Sequence, residues 1–321
     1  MTRYIIRRLL YVVLVIIAVT AVAYAIFFLL PSTDPAVAFA GRNPTPELIE
    51  QVREQLDLDD PVPVQYFNYV KRLVTGDEYG WPGLGLSYDT RSPVKDEVFS
   101  RASVTLQIAI GGAILWLLLG IPIGVLSALK RRTFVDRLSM GFALVGVSAP
   151  VFWLGLVMLY VFWRKLDILP GTGYVSFFTS PTQWFLHMLM PWTVLAFLFA
   201  AIYARVVRGN MIDTMSEDYI RTARAKGLSE RRVVVRHGLR PGLTPIVTLL
   251  GIDLALLVGN TVVTETVFNM PGLGNYILIS TDTGDLPAIM AVVVLASFAV
   301  AFLSLISDIV YAYLDPRVRY R

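Results

Sequence analysis

The side chains able to do chemistry are few in this chain, and two of the most telling, Asp253 and Asp308, sit inside long apolar runs. A carboxylate at mid-membrane costs roughly 2.5–3.5 kcal/mol even on a lenient insertion scale, so each needs a purpose. Steps of three and four residues put Asp253, Leu257, Asn260 and Thr264 on one stripe of a helix. Such a stripe faces either a neighbouring helix or water. Two readings therefore stand: the lining of a translocation pathway, or the hydrogen bonding that fixes a helix bundle. Asp308 reads as structural, with an arginine of the basic segment 217–239 as its candidate partner. Glu265 lies near a span end, where contact with the interface lowers its cost.

Other chemistries lack their residues. There is no cysteine, which removes disulfides, thiolate metal sites and thiol catalysis. His187 and His237 are isolated and do not suggest a metal centre. No lysine follows a glycine, so no phosphate-binding P-loop can form. No catalytic residue, metal, cofactor or nucleic-acid partner is expected for the chain itself. An intramembrane aspartyl protease would carry Gly-x-Gly-Asp, and the nearest sequence, "DTGD" at 282–285, falls in a connecting loop. A serine intramembrane protease would need a histidine deep within a span. The remaining rival is an ion-coupled secondary transporter using Asp253, for which inverted repeats are expected and none is visible.

These groups are held by apolar elements. The chain is 55% hydrophobic and 16% charged, where a soluble domain carries about 25% charged residues. Six stretches, near 9–30, 104–128, 138–163, 187–207, 246–268 and 287–314, are apolar enough to cross about 30 Å of hydrocarbon. Their apolar runs are continuous rather than alternating, which predicts helices and an all-α integral membrane protein. The run after Arg3, Arg7 and Arg8 is longer than the apolar core of a cleaved leader and reads as a retained span. Lysine and arginine set the orientation. The N-terminus, the loop 130–137, the segment 205–240 and the tail hold 19 of them, while the short loops on the other side hold 2, Arg164 and Lys165. Both termini and the 205–240 segment are therefore expected in the cytoplasm of a multi-pass protein of the cell membrane. Gly111, Gly112, Gly120, Gly124, Gly141, Gly146 and Gly155 predict close helix approach, and Pro122 and Pro150 predict kinks.

Outside the bilayer, residues 31–103 form an outer insertion with 12 acids and 7 bases. "TPELIEQVREQL" reads as a helix capped by Thr45 with Leu48, Val52 and Leu56 on one face. "VPVQYFNYVKRLV" reads as a second, with Val64, Phe67, Val70 and Val74. A solvated cap and a docking surface for a soluble partner both fit this region. "MPGLG" (270–274) is either a re-entrant turn serving as an outer gate, through Met270, Pro271, Gly272 and Gly274, or a plain loop.

The segment "EDYIRTARAKGLSERRVVVRHGL" (217–239) sets five arginines and a lysine around Gly227. Ser216 is placed to cap a first helix. Glu217 and Asp218 then meet its positive end, Arg221, Arg224 and Lys226 its negative end, and Gly227 follows it. Ser229 caps a second helix, which Pro241 and Pro245 end before the fifth span. A lipid contact explains the charge but not the break at Gly227. A rigid projection gripped by another protein explains both.

This segment resembles the "EAA" cytoplasmic loop of ABC-importer permeases, whose first short helix docks into a groove of the ATPase subunit. The usual Glu-Ala-Ala triplet reads Arg221-Thr222-Ala223, so only its last Ala and the following Gly227 match. "DPAVAFAG", "LDLDDPVPVQYFNYV", "GLGLS", "ARAKGLSERRVVVRHGLRPGLTP", "TVVTETVFNMPGLG" and "SDIVYAYLDPRVR" are similar, in that order, to the first permease subunit of the dipeptide, oligopeptide and nickel subfamily. The resemblance implies a six-helix type I importer permease bundle. Its parts would be a lead and first span (1–30), the outer insertion (31–103), a five-helix core (104–314) holding the coupling loop 208–245, and a tail (315–321). The ATPase-docking surface would be Thr222, Ala223, Arg224, Ala225, Lys226, Gly227, Leu228, Ser229, Glu230, Arg231 and Arg232. The implied partners are a second homologous permease, two ATPase subunits that bind ATP and magnesium, and an extracytoplasmic substrate-binding protein. Di- or oligopeptides are the implied substrates, with nickel or oligosaccharides as alternatives.

Overall fold

The structure is a computed structural model that describes residues 2–29, 36–37, 45–55 and 58–314. Among these residues the regular elements are helices, and two isolated bridges, Asp77–Gly80 and Leu86–Pro93, pinch the loop between the third and fourth of them. In chain order the helices are α1 (Thr2–Tyr24, with a π turn over Ala25–Leu29), α2 (Pro46–Gln55), α3 (Val62–Thr75) and α4 (Val94–Leu129). Then come α5 (Phe134–Ser148), α6 (Val151–Met158, with π turns over Leu159–Lys165), α7 (Pro181–Met215) and α8 (Asp218–Ala225). After α8 follow α9 (Glu230–Arg232, running on through Val233–Leu239 and Arg240–Gly242), α10 (Thr244–Val267), α11 (Leu273–Thr283) and α12 (Leu286–Leu314). Four stretches are long and apolar enough to cross a membrane: Ile6–Phe27, Val94–Leu129, Pro181–Met215 and Leu286–Ser307, with α5 and α6 a fifth if that pair is one span.

Three expectations change. The span predicted over 138–163 is broken, because α5 and α6 meet at 104°. Ala149 precedes Pro150, whose ring disfavours a helical residue before it, and Ala149 is extended at φ −80°, ψ 122°. Pro122 and Pro191, by contrast, are carried inside continuous helices. The span predicted from 104 begins at Val94, so α4 reaches out of the apolar run with Asp96 and Glu97 in its first turn. The stretch after α10, expected to be a re-entrant turn or a plain loop, holds α11, which Gly272 caps at its start and Gly284 closes at φ +74°.

Contacts divide the chain into two compact units, Met1–Thr105 with Pro271–Phe302, and Leu106–Met270 with Leu303–Arg321. In the first unit, the outer insertion is sewn to the end of α1. Tyr24 donates from its hydroxyl to Gln65 Oε1 at 2.9 Å, and Gln65 Nε2 donates to the carbonyls of Leu58 and Asp60 at 3.1 and 2.7 Å. Val52 is buried as expected, and Leu48 packs against the same cluster, whereas Leu56 lies outside the described residues. The second helix turns the other way from its apolar pattern: Gln65, Tyr66 and Tyr69 face the unit's interior, while Val64, Phe67 and Val74 are exposed. The hydrogen bonds of Gln65 and the bulk of the tyrosines outweigh the contacts that Val64, Phe67 and Val74 would make. A buried carboxylate, Asp285, latches the loop 85–93 by accepting from Ser87 Oγ and from the Tyr88 backbone N–H at 3.2 Å.

In the second unit α7 is the central element, with residues from Met188 to Met211 buried along its length. Three glycines of α4 let it lie close to α7. A Cβ on Gly112 would meet Leu195, one on Gly120 would meet Ala200 and Tyr203, and one on Gly124 would come within 2.6 Å of the Ala204 carbonyl oxygen. Gly146 of α5 approaches Ala201 and Phe197 in the same way, and Gly155 of α6 approaches Val267. Without a hydrophobic drive between helices in lipid, such close backbone contact supplies the attraction.

Candidate functional site

The basic knuckle after α7 is braced from inside. Ile220, Ala223 and Val233 are buried against one another, with Met215 and Leu228 beside them. Arg224 then clips α8 to the start of α9, its Nε and Nη2 donating to the two Glu230 oxygens at 3.1 and 2.7 Å. The guanidinium lowers the Glu230 carboxyl from its ordinary value, and the carboxylate raises Arg224. Both groups are exposed, so screening leaves this clip worth little in stability while still fixing direction. Gly227 turns the chain between the helices at φ +74°, with nothing within 4 Å of where a Cβ would be. Gly227→Ala should therefore weaken the knuckle by backbone strain alone, about 1 kcal/mol. Hydrogen exchange over 218–239 should speed in Gly227→Ala and stay near native in Gly227→Asn.

The capping differs from expectation. Ser216 ends α7, its hydroxyl bonding back to the Ile212 carbonyl at 2.8 Å, and Glu217 occupies the capping position of α8. Ser229 holds the capping position of α9 without a side-chain bond. Pro241 does not end the second helix: it sits in the first turn of Arg240–Gly242, where its missing N–H costs nothing, and Pro245 does the same in α10. Of the predicted docking residues, Ala223 points into the knuckle's own core, whereas Thr222, Ala225, Lys226, Arg231 and Arg232 are exposed.

A second cluster lies within the bundle. Tyr203 of α7 donates to Asp253 Oδ2 of α10 at 2.8 Å. Tyr203 is buried beside Trp116 of α4, ring centres 5.8 Å apart, and Trp116 stacks on Phe199 at 4.5 Å. On the same helix as Asp253, Leu257 and Thr264 are buried within the unit, and the side chains of Asn260 and, on α12, Asp308 lie outside the described set. Around the predicted gate, the Met270 N–H donates to the Glu265 carbonyl at 2.8 Å, making a tight turn after α10. Gly272 starts α11, Gly274 is buried in its first turn, and the Leu273 N–H donates to Thr105 Oγ1 at 2.9 Å.

One group escaped the sequence reading. Asp136, inside the basic run "KRRTFVDR", accepts Arg208 Nε and Nη2 at 2.6 and 2.9 Å, Ser127 Oγ at 2.5 Å and the Arg132 N–H at 2.9 Å. It ties together one end each of α4 and α5 and the second half of α7. The lone acid among cations was the available signal.

The chain belongs to the family of binding-protein-dependent transport system inner membrane components, membrane permeases that work with a separate ATPase, whose model matches residues 120–320. The N-terminal model of the same transport systems' membrane components matches residues 1–109. Among its relatives, the glutathione transport system permease protein GsiC of Escherichia coli strain K12 is 38% identical over the full length of both chains. The protein of the same name from Salmonella typhimurium strain LT2 is 37% identical, again over both full lengths. A solved structure of the MetNI methionine ABC transporter shares the fold, with a TM-score of 0.55 at 18% identity, covering 70% of this chain and 98% of that one. The chain is thus the permease component of a binding-protein-dependent ABC importer, and ATP hydrolysis belongs to separate subunits. Family membership implies an ATPase, a substrate-binding protein and a second permease as partners, and leaves the ion-coupled alternative for Asp253 without support.

Proposed function

We propose that this chain forms half of a translocation pathway for di- or oligopeptides, glutathione among them, and receives force from its ATPase through the knuckle. Six spans cross the membrane with both termini in the cytoplasm, in keeping with the charge asymmetry of 19 against 2. A homologous permease supplies the other half of the pathway, and the binding protein docks on the outer side. Two ATPase subunits carry ATP and magnesium. Their closure drags the paired knuckles together and opens the pathway outward, and hydrolysis resets it. Asp253, Leu257, Asn260 and Thr264 belong to the helix that lines or frames the pathway, and Met270, Pro271, Gly272 and Gly274 to its outer gate. The peptide reading draws on the glutathione permeases that share 38% identity over the whole chain.

The observation that carries the coupling role is the knuckle's construction: a buried apolar core and a clip across Gly227 beneath an exposed basic face. A braced projection transmits a push that a floppy loop would absorb. The native chain has no cysteine, so Ala225→Cys reports cleanly. Co-expressed with an ATPase bearing one cysteine in its docking groove, it should give a disulfide whose yield changes with ATP. A nucleotide-insensitive yield, or none from any groove position, would refute the coupling role.

A further inference from the structure

The chain treats its carboxylates unequally. Asp136 is saturated by a guanidinium, a hydroxyl and a backbone N–H, and Asp285 accepts from a hydroxyl and a backbone N–H while almost fully buried. These are structural carboxylates whose lone pairs are spent inside the fold. Asp253 differs on each count. It is half-buried, and among the described residues its only partner is the neutral Tyr203 hydroxyl on Oδ2, with no donor to Oδ1 and no cation beside it in that set. Tyr203 packs on the buried ring of Trp116, itself stacked on Phe199, so the carboxylate is oriented by a well-held neutral donor. A carboxylic acid inside a span with no cationic partner among the described residues is the arrangement expected of a site that meets a mobile counter-charge.

We propose that Asp253 Oδ1 is a way-station for the primary ammonium group of the substrate, with Tyr203 as its positioning residue. Every unblocked peptide that does not begin with proline carries such a group at its N-terminus, so one carboxylate can guide nearly the whole substrate class with little selection within it. A single ion pair holds the group weakly enough to let it leave, as conduction through a pathway requires. The inference rests on the reading of α10 as part of the pathway, and the test separates the two.

In the complete transporter, a single cysteine replaces Leu256, an exposed residue three positions from Asp253. Its labelling by a cationic and by an anionic methanethiosulfonate is timed. The cationic reagent should react faster, and the preference should fall about fivefold in Asp253→Asn and persist in Asp253→Glu. Uptake of trialanine should drop about tenfold in Asp253→Asn and severalfold in Tyr203→Phe. A reactive thiol whose charge preference ignores Asp253→Asn overturns the way-station and leaves the pathway intact. A thiol inert to both reagents in every nucleotide state overturns the pathway reading of this helix face, and the way-station with it.

Discussion

Asp136→Ala should cost the bundle about 3 kcal/mol, the low end for breaking a buried ion pair by removing one partner, because the Arg208 side chain is 25% exposed. Asp136 is 5% exposed and accepts four hydrogen bonds from three segments of the chain. Its removal leaves the Arg208 guanidinium, the Ser127 hydroxyl and the Arg132 N–H without their acceptor. Arg132 also sits at φ +64°, a strained turn that this bond helps to hold. Arg208→Ala should cost nearly as much, and the double variant clearly less than the sum. Exchanging the two residues should not rescue, because Ser127 and the Arg132 backbone need an acceptor at that place and an arginine supplies none. Thermal unfolding of the purified transporter, followed by size-exclusion of this chain, would read all four variants. Strict additivity would show that Asp136 and Arg208 act independently, and recovery in the exchanged variant would show that the ion pair alone matters and that Ser127 and the Arg132 N–H do not need this acceptor.

Gly124→Ala should destabilise by about 1–3 kcal/mol, and Gly124→Val by more. A Cβ there would come within 2.6 Å of the Ala204 carbonyl oxygen and 2.7 Å of Val207 Cβ. The first neighbour is backbone and cannot rotate away, so α4 and α7 would have to separate along their shared line of small residues. Gly141 is the internal comparison, since a Cβ there meets nothing within 4 Å. Gly141→Ala should be neutral or stabilising, by up to about 1 kcal/mol, because alanine loses less freedom in a helix. Equal loss from the two substitutions would mean that the close approach of α4 to α7 is not what these helices depend on.

Much was legible from residue order alone. Continuous apolar runs predicted helices, since only a helix satisfies its own backbone in lipid. The quoted motifs from the outer insertion to the C-terminus identified the permease family. Gly227 was readable as a left-handed break because a glycine between a basic helix end and a Ser-Glu start has few other uses. These signals are local, and a local signal survives in one dimension.

What only the tertiary structure decided involves partners far apart in the chain. Asp136 meets Arg208 across 72 positions, Tyr203 meets Asp253 across 50, and Ser87 meets Asp285 across 198. No periodicity encodes such pairs, because each depends on which helix faces pack. The same holds for prolines: Pro122 and Pro191 ride inside helices while the chain breaks at Pro150. It holds too for Ala223, read from its motif as a docking residue and found buried on Val233. The sequence by itself determined the helices, the basic knuckle and the family. The tertiary structure decided which carboxylates are spent within the fold, Asp136 and Asp285, and which, among the described residues, meets only a tyrosine hydroxyl, Asp253, because saturation depends on donors that arrive from far along the chain.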